Sequence, residues 1–325
     1  MLNRGDALAD TPCVIDYANA DVAHAMANGE MNTEEPQILA NIASSIRRGW
    51  PQMRRDPNRP DRICLVGSGP SLADTWSELR QLVWEGATLV TLNGAYHYCL
   101  ERNLRPQTQI VMDARPSNAR FVQPLVPKCN YLLASQCAPE VWDAVEGREN
   151  VWIWHPVVKT EAAATELLNR YYGGQWMGVG GGTTVASRAI FLLRTAGYLR
   201  YDLFGIDCCW MGDEHHALPQ PENANDAKNK HRIRASVRGS EESREFLVSP
   251  WMLKQAEDFL TMMQINGKHF SLTVHGDGLL AYLMRLLATA SVDDVTLTQR
   301  GGTTIPPPPS APSRVHPKRS RAPRP

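Results

Sequence analysis

The stretch from Arg62 to Leu72, Arg-Ile-Cys-Leu-Val-Gly-Ser-Gly-Pro-Ser-Leu, limits the possible folds more than any other. Four apolar residues run into two glycines, and a helical pattern from Asp74 to Trp84 follows. A short apolar run closed by glycines reads as a buried strand of a parallel sheet. Glycine at the strand end lets the backbone turn sharply and lie against a ligand with no Cβ in the way. Ser71 or Asp74 can cap the helix that follows, and the N–H groups of a helix start form an anion site. The spacing is neither Gly-x-Gly-x-x-Gly nor the P-loop, because no third glycine and no Gly-Lys-Ser/Thr follows. A plain strand, turn and helix with two structural glycines satisfies the same residues.

Alternation continues along the chain. Ala87 to Leu92 reads as a second strand, ending in Asn93-Gly94, and Gln109 to Met112 as a third, ending in Asp113. Tyr131 to Ser135 and Val151 to His155 follow. Gly178 to Gly182 leads into a helix over Thr183 to Ala196, and Asp202 to Ile206 forms a strand ending in Asp207. A polar segment from Gly212 to Glu245 is far longer than an ordinary connection. A helix over Pro250–Gln264, a strand over Phe270–Val274 and the turn His275-Gly-Asp-Gly278 close the pattern. The economical fold is α/β: a Rossmann-like, mostly parallel sheet flanked by helices in a single main domain. Ligands bind such sheets beyond the carboxyl ends of the strands.

Three regions are expected: an N-terminal helical arm and linker over 1–61, the Rossmann-like domain over 62–300, and a disordered Pro/Arg-rich tail over 301–325. The arm's helix is read from Thr33-Glu-Glu-Pro36 and the apolar spacing of Ile38, Leu39, Ile42 and Ile46. The rest of residues 1–31 shows weak periodicity and reads as loosely ordered. Charge is balanced over the whole chain, yet residues 310–325 hold five basic side chains and no acidic one. The remaining chain then has 29 basic against 34 acidic residues, which argues against a nucleic-acid-binding face. No apolar run approaches the roughly 18 residues of a membrane span. Seven cysteines without disulfide spacing, and no apolar leader over Met1–Asp10, predict a cytoplasmic protein.

Gly67-Ser-Gly-Pro-Ser-Leu72, Asn93-Gly94, Asp113, Gly180-Gly-Gly-Thr-Thr184, Gly205-Ile-Asp207 and His215-His216 occur in an order that resembles the MptE-like family. That family is typified by archaeal 6-hydroxymethylpterin diphosphokinase, and the likeness covers roughly residues 35–285. The opening motif is also similar to that of Maf-type motility glycosyltransferases and of a family of bacterial sialyltransferases. The resemblance implies a nucleotide-dependent transferase moving diphosphate from ATP, or another nucleotide, to a hydroxymethylpterin-like acceptor. Glycosyl transfer from a nucleotide sugar and non-catalytic nucleotide binding are the alternatives. The partners implied are a nucleotide and a small hydroxylated acceptor, with a second copy of the chain left open.

Phosphoryl transfer calls for positioning, charge neutralisation and usually Mg²⁺. Asp113 and Asp207 are the candidate metal ligands, since magnesium takes one or two carboxylates besides phosphate and water. Gly67, Ser68, Gly69, Pro70 and Ser71 form the expected phosphate cradle. Gly181, Thr183 and Thr184 form a second one, and Asn93 with Gly94 would hold a ribose or base edge. His215 and His216 are candidate general bases, with Asp207 beside them, and adjacent histidines point to different sides. Arg115 is a candidate phosphate contact, and His155 a further strand-end candidate. Trp152, Trp154, Trp176 and Trp210 are read as pocket or core aromatics. Lys228, Lys230, Arg232 and Arg234 would give the long polar segment the charge of a lid over a triphosphate.

Overall fold

A computed structural model describes residues 13–16, 33–157, 162–220, 230–237 and 243–289. The loosely ordered region expected over 1–31, apart from 13–16, and the tail expected over 301–325 lie outside them. The chain opens with β1 (Cys13–Asp16) and α1 (Glu35–Ile46), then β2 (Arg59–Val66), α2 (Trp76–Trp84), β3 (Thr88–Leu92) and α3 (Ala95–Glu101). Next come β4 (Thr108–Val111), β5 (Asn130–Ala134), α4 (Pro139–Asp143), β6 (Val151–Pro156), α5 (Ala162–Tyr172) and β7 (Gly178–Val179). The last elements are α6 (Val185–Thr195), β8 (Tyr198–Phe204), β9 (His231–Val237), β10 (Ser243–Val248), α7 (Pro250–Asn266), β11 (Ser271–Val274) and α8 (Leu279–Thr289).

Eight strands form one sheet in the order β11-β8-β2-β3-β4-β5-β6-β7, and every pairing is parallel. This is the Rossmann-like α/β architecture the strand–helix alternation predicts. Ile63 to Val66 are fully buried, as a central parallel strand covered on both faces must be. Thr91 and Gln109, polar residues inside the sheet, satisfy each other: Thr91 Oγ1 donates to Gln109 Oε1 at 2.6 Å. Gln109 Nε2 in turn donates to the carbonyls of Asn93 and Phe121, which fixes the turn after β3. α1 lies on the domain through Ile42 and Ile46 and through two polar anchors. Asn41 Nδ2 donates to the carbonyls of Ala114 and Gln136, and Ser45 Oγ to that of Ser135.

The segment from 212 to 245, read from sequence as one polar stretch, contains most of a second sheet. β1, β9 and β10 pair antiparallel in the order β1-β9-β10. Ile233, Ala235, Phe246 and Val248 are buried, and the Phe246 ring packs against Tyr282 of α8. Arg232 and Arg234 occupy the alternate, exposed positions and both pair with Glu245. The lid reading is therefore corrected for these two residues, which are ion-paired on the outer face of a sheet. Lys228 lies outside the described residues.

Candidate functional site

From β2 the chain builds strands outward to β7, then returns with β8 to the other side of β2. The carboxyl ends of β2 and β8 thus flank the topological switch point, where open α/β sheets bind ligands. Two glycine turns meet there. A Cβ on Gly67 would stand 2.5 Å from the Gly205 carbonyl oxygen, and one on Gly205 equally close to the Gly67 oxygen. Gly205 also has φ +59°, a backbone state L side chains rarely adopt. The glycines were expected to make room for a ligand; here the room is taken by the neighbouring turn. Their N–H groups are engaged too, Gly67 with the Phe204 carbonyl at 2.8 Å and Gly69 with that of Gly205 at 2.7 Å.

Asp207 closes this knot. Its Oδ2 accepts the Ser71 N–H at 3.0 Å, and a Cβ on Gly69 or Gly278 would collide with it. Pro70 and Ser71 form the 3-10 turn that carries that N–H. Asp207 is 5% exposed, and burial raises its pKa against the opposing hydrogen bonds from Ser71. It ties the turns after β2, β8 and β11 together.

The second glycine turn holds a carboxylate of the chain itself. Thr183 donates from its N–H and its hydroxyl to Asp258 Oδ2, at 2.7 and 2.8 Å, while Lys254 binds the other oxygen. Thr184 is the cap of α6, accepting the Ser187 N–H. A Cβ on Gly181 would run into the Phe191 ring. Asp113 forms a two-pronged ion pair with Arg115, which also donates its backbone N–H to Asp113 Oδ1. Neither aspartate fits the expected magnesium pair: one is clasped by arginine, the other buried under glycine backbone. Among the described residues no three His, Cys, Asp or Glu side chains form a metal-binding group.

Among the described residues, an open space lies one strand over. A cavity of about 400 Å³ sits at the carboxyl ends of β2 and β3. Ser68 and Gly94 bring it to the predicted motifs; His97, Glu101, Arg120 and Gln220 add the polar wall. Tyr98 and Phe121 supply aromatic surface, and Ala217 to Pro219 an apolar edge. Asn93, at φ +45°, makes the tight turn that places Gly94, and its Oδ1 is buried without a hydrogen-bond partner. Residues 215–220 act as a strap. Ala217 N–H donates to the Ser68 carbonyl at 2.7 Å, and His216 Nδ1 is hydrogen-bonded to Ser68 Oγ at 3.1 Å. His215 packs against His216 rather than pointing to the other side, as adjacent histidines are expected to: the ring centroids lie 4.3 Å apart, and that of His215 is 4.1 Å from Trp210. Burial, with the neighbouring His215, lowers the His216 pKa to about 4.

Other candidates lie elsewhere. Trp154 is core, Trp210 is buried with its indole N–H on Ser249 Oγ, and Trp176 meets His155 edge-on. His155 is 1% exposed, has no partner for either ring nitrogen, and is pushed by burial to a pKa of about 4. Lys230 pairs with Asp213 and lies over the Trp210 ring. Sequence reading missed His97, Glu101, Arg120, Gln220 and Asp258, which come from separate segments and belong to no motif.

Residues 36–213 match the model of a family described as 6-hydroxymethylpterin diphosphokinase MptE-like. A search of curated proteins finds no match. Among solved structures, the chain is similar to a Maf glycosyltransferase from Magnetospirillum magneticum AMB-1, at 15% identity and a TM-score of 0.48. That likeness covers 76% of this chain and 37% of the glycosyltransferase, so the chain spans little more than a third of its length. A mammalian sialyltransferase is also similar, at 11% identity and a TM-score of 0.39, with 80% of this chain and 87% of that one covered. No helix among the described residues is long and apolar enough to cross a membrane.

Proposed function

The chain belongs to the MptE-like family, and from that membership we propose that it is a transferase drawing on a nucleotide donor. The observation that carries this reading is the cavity beside the switch point, with Ser68 in its wall and His216 bonded to Ser68. A space of about 400 Å³ takes a heterocycle and the groups next to it. Tyr98 and Phe121 offer ring surface, while Glu101 and Gln220 can meet the N–H edge of a heterocycle.

In the first reading the transferred group is diphosphate. The hydroxyl oxygen of a hydroxymethylpterin-like acceptor bonds to the β-phosphorus of ATP, the bond from that phosphorus to the α–β bridging oxygen breaks, and AMP departs. Arg120 is the cation of the cavity wall. Magnesium would supply charge neutralisation by entering with the nucleotide, since Asp113 is paired with Arg115 and Asp207 holds the Ser71 N–H.

One observation favours glycosyl transfer as a second reading. Four of the groups that read from sequence as polyphosphate clamps are engaged by the chain's own carboxylates: Thr183 by Asp258, Lys230 by Asp213, Arg232 and Arg234 by Glu245. A donor with fewer phosphate charges needs fewer free cations. Chromatography of products separates the two. ATP with 6-hydroxymethyl-dihydropterin should yield AMP only when both are present; nucleotide released only from CMP- or UDP-sugars with a hydroxyl acceptor would replace diphosphoryl by glycosyl transfer.

A further inference from the structure

The histidines that sequence reading offers as bases do not line the cavity. Among the described residues its wall includes Ser68 but neither His215 nor His216. The link between cavity and imidazole is the 3.1 Å hydrogen bond from Ser68 to His216. We propose that Ser68 is a catalytic proton relay: the acceptor hydroxyl passes its proton to Ser68 Oγ as Ser68 passes its own to His216 Nδ1. This rests on the transferase reading of the cavity.

The step balances. The acceptor oxygen, relieved of its proton, forms the new bond to the transferred group, and the nucleotide leaves with the electron pair of the broken bond. Ser68 ends as a hydroxyl and His216 carries the proton, which returns by the same path to the leaving phosphate or to water. No covalent bond to Ser68 forms.

Three features hold the relay in line. The Ser68 carbonyl accepts from Ala217 N–H, so the turn after β2 and the strap bearing His216 are joined on both sides of Ser68. The His216 ring is packed by His215, itself packed on Trp210, whose indole is anchored to Ser249. Ser68 sits between two glycines whose N–H groups are already bonded, and of this turn it is the residue that lines the cavity. With its pKa near 4, His216 is neutral at pH 7 and has one bare ring nitrogen.

The relay needs His216 Nδ1 to be the bare nitrogen, which can be read without turnover. In protein labelled with 15N-histidine, the ring signals absent from His216→Gln identify His216. The proposal expects an unprotonated, hydrogen-bonded Nδ1 at pH 7, altered in Ser68→Ala and restored in Ser68→Thr. A protonated Nδ1, or one indifferent to Ser68→Ala, overturns it. With the donor that turns over, Ser68→Ala should lower kcat at least about 100-fold with KM little changed, and adding His216→Gln should cost little more. Full kcat in a folded Ser68→Ala overturns the relay alone, as does a trapped covalent adduct on Ser68. A wild type that transfers nothing from any donor tested overturns the transferase reading and the relay with it.

Discussion

Gly205 shows how a motif read for ligand binding can be spent on folding. Its left-handed φ and the Gly67 carbonyl against it leave no place for a methyl group. Gly205→Ala should therefore lower stability by at least about 2 kcal/mol, from overpacking and left-handed strain together. Urea unfolding checks this, and a change below about 0.5 kcal/mol would contradict the interlock. The same geometry alters what Gly67→Ala or Gly69→Val can report. On sequence alone these variants should stay folded and lose ligand; in the structure their side chains meet Gly205 and Asp207, so loss of folding comes first. Ser68, with no such contact, is the residue of this turn that tests chemistry.

At the scale of elements, one charged network ties four of them. Asp202 of β8, 2% exposed, receives the Arg62 guanidinium of β2, with Nη2 at 2.7 Å, and His275 Nε2 at 2.8 Å. His275, after β11, reaches Glu78 of α2 with Nδ1 at 3.0 Å and stacks on Phe204. Burial alone would lower the His275 pKa, but the Asp202 hydrogen bond and the Glu78 and Asp202 charges outweigh it and raise it. Its stabilisation is present below the unfolded value of about 6.5 and is lost as pH rises through the raised one. His155 and His216 act in the opposite sense. Both are held down to about 4, so the unfolded chain takes up protons that the folded chain refuses between about 6.5 and 4. Stability falls across that window as the medium is acidified. Thermal melts against pH should peak near pH 6.5; His275→Gln should flatten the alkaline side, and His155→Phe part of the acid side. Slopes unchanged in both variants would contradict these assignments.

For the whole molecule, the parallel sheet was legible because central strands of that kind are apolar runs with glycine or polar ends. Ile63–Val66 with Gly67, and Leu89–Leu92 with Asn93-Gly94, needed no further context. β7 escaped because two residues make no pattern. β9 escaped for a different reason: Arg232-Ile-Arg-Ala235 alternates cleanly, yet its charge masked a period of two that marks a half-buried strand. The cavity could not be read, since Ser68, Glu101, Arg120 and Gln220 converge only once three turns and the strap are in place. Strand-end position brings Ser68 and Gly94 to the cavity wall. Asp207 and Thr183, read in the same way, are bonded to Ser71 and Asp258, partners that lie far off in sequence.

The central claim is that this cavity engages a nucleotide. Calorimetric titration of ATP, GTP, CTP, CMP-sugar and UDP-sugar into the wild type and into Ala217→Trp, which fills the cavity from the strap, tests it most directly. At least one nucleotide should bind the wild type and lose at least about tenfold in affinity, or about 1.4 kcal/mol, in a variant whose melting temperature is kept. Equal affinity in the two proteins, or no binding of any of them to the wild type, would contradict the account.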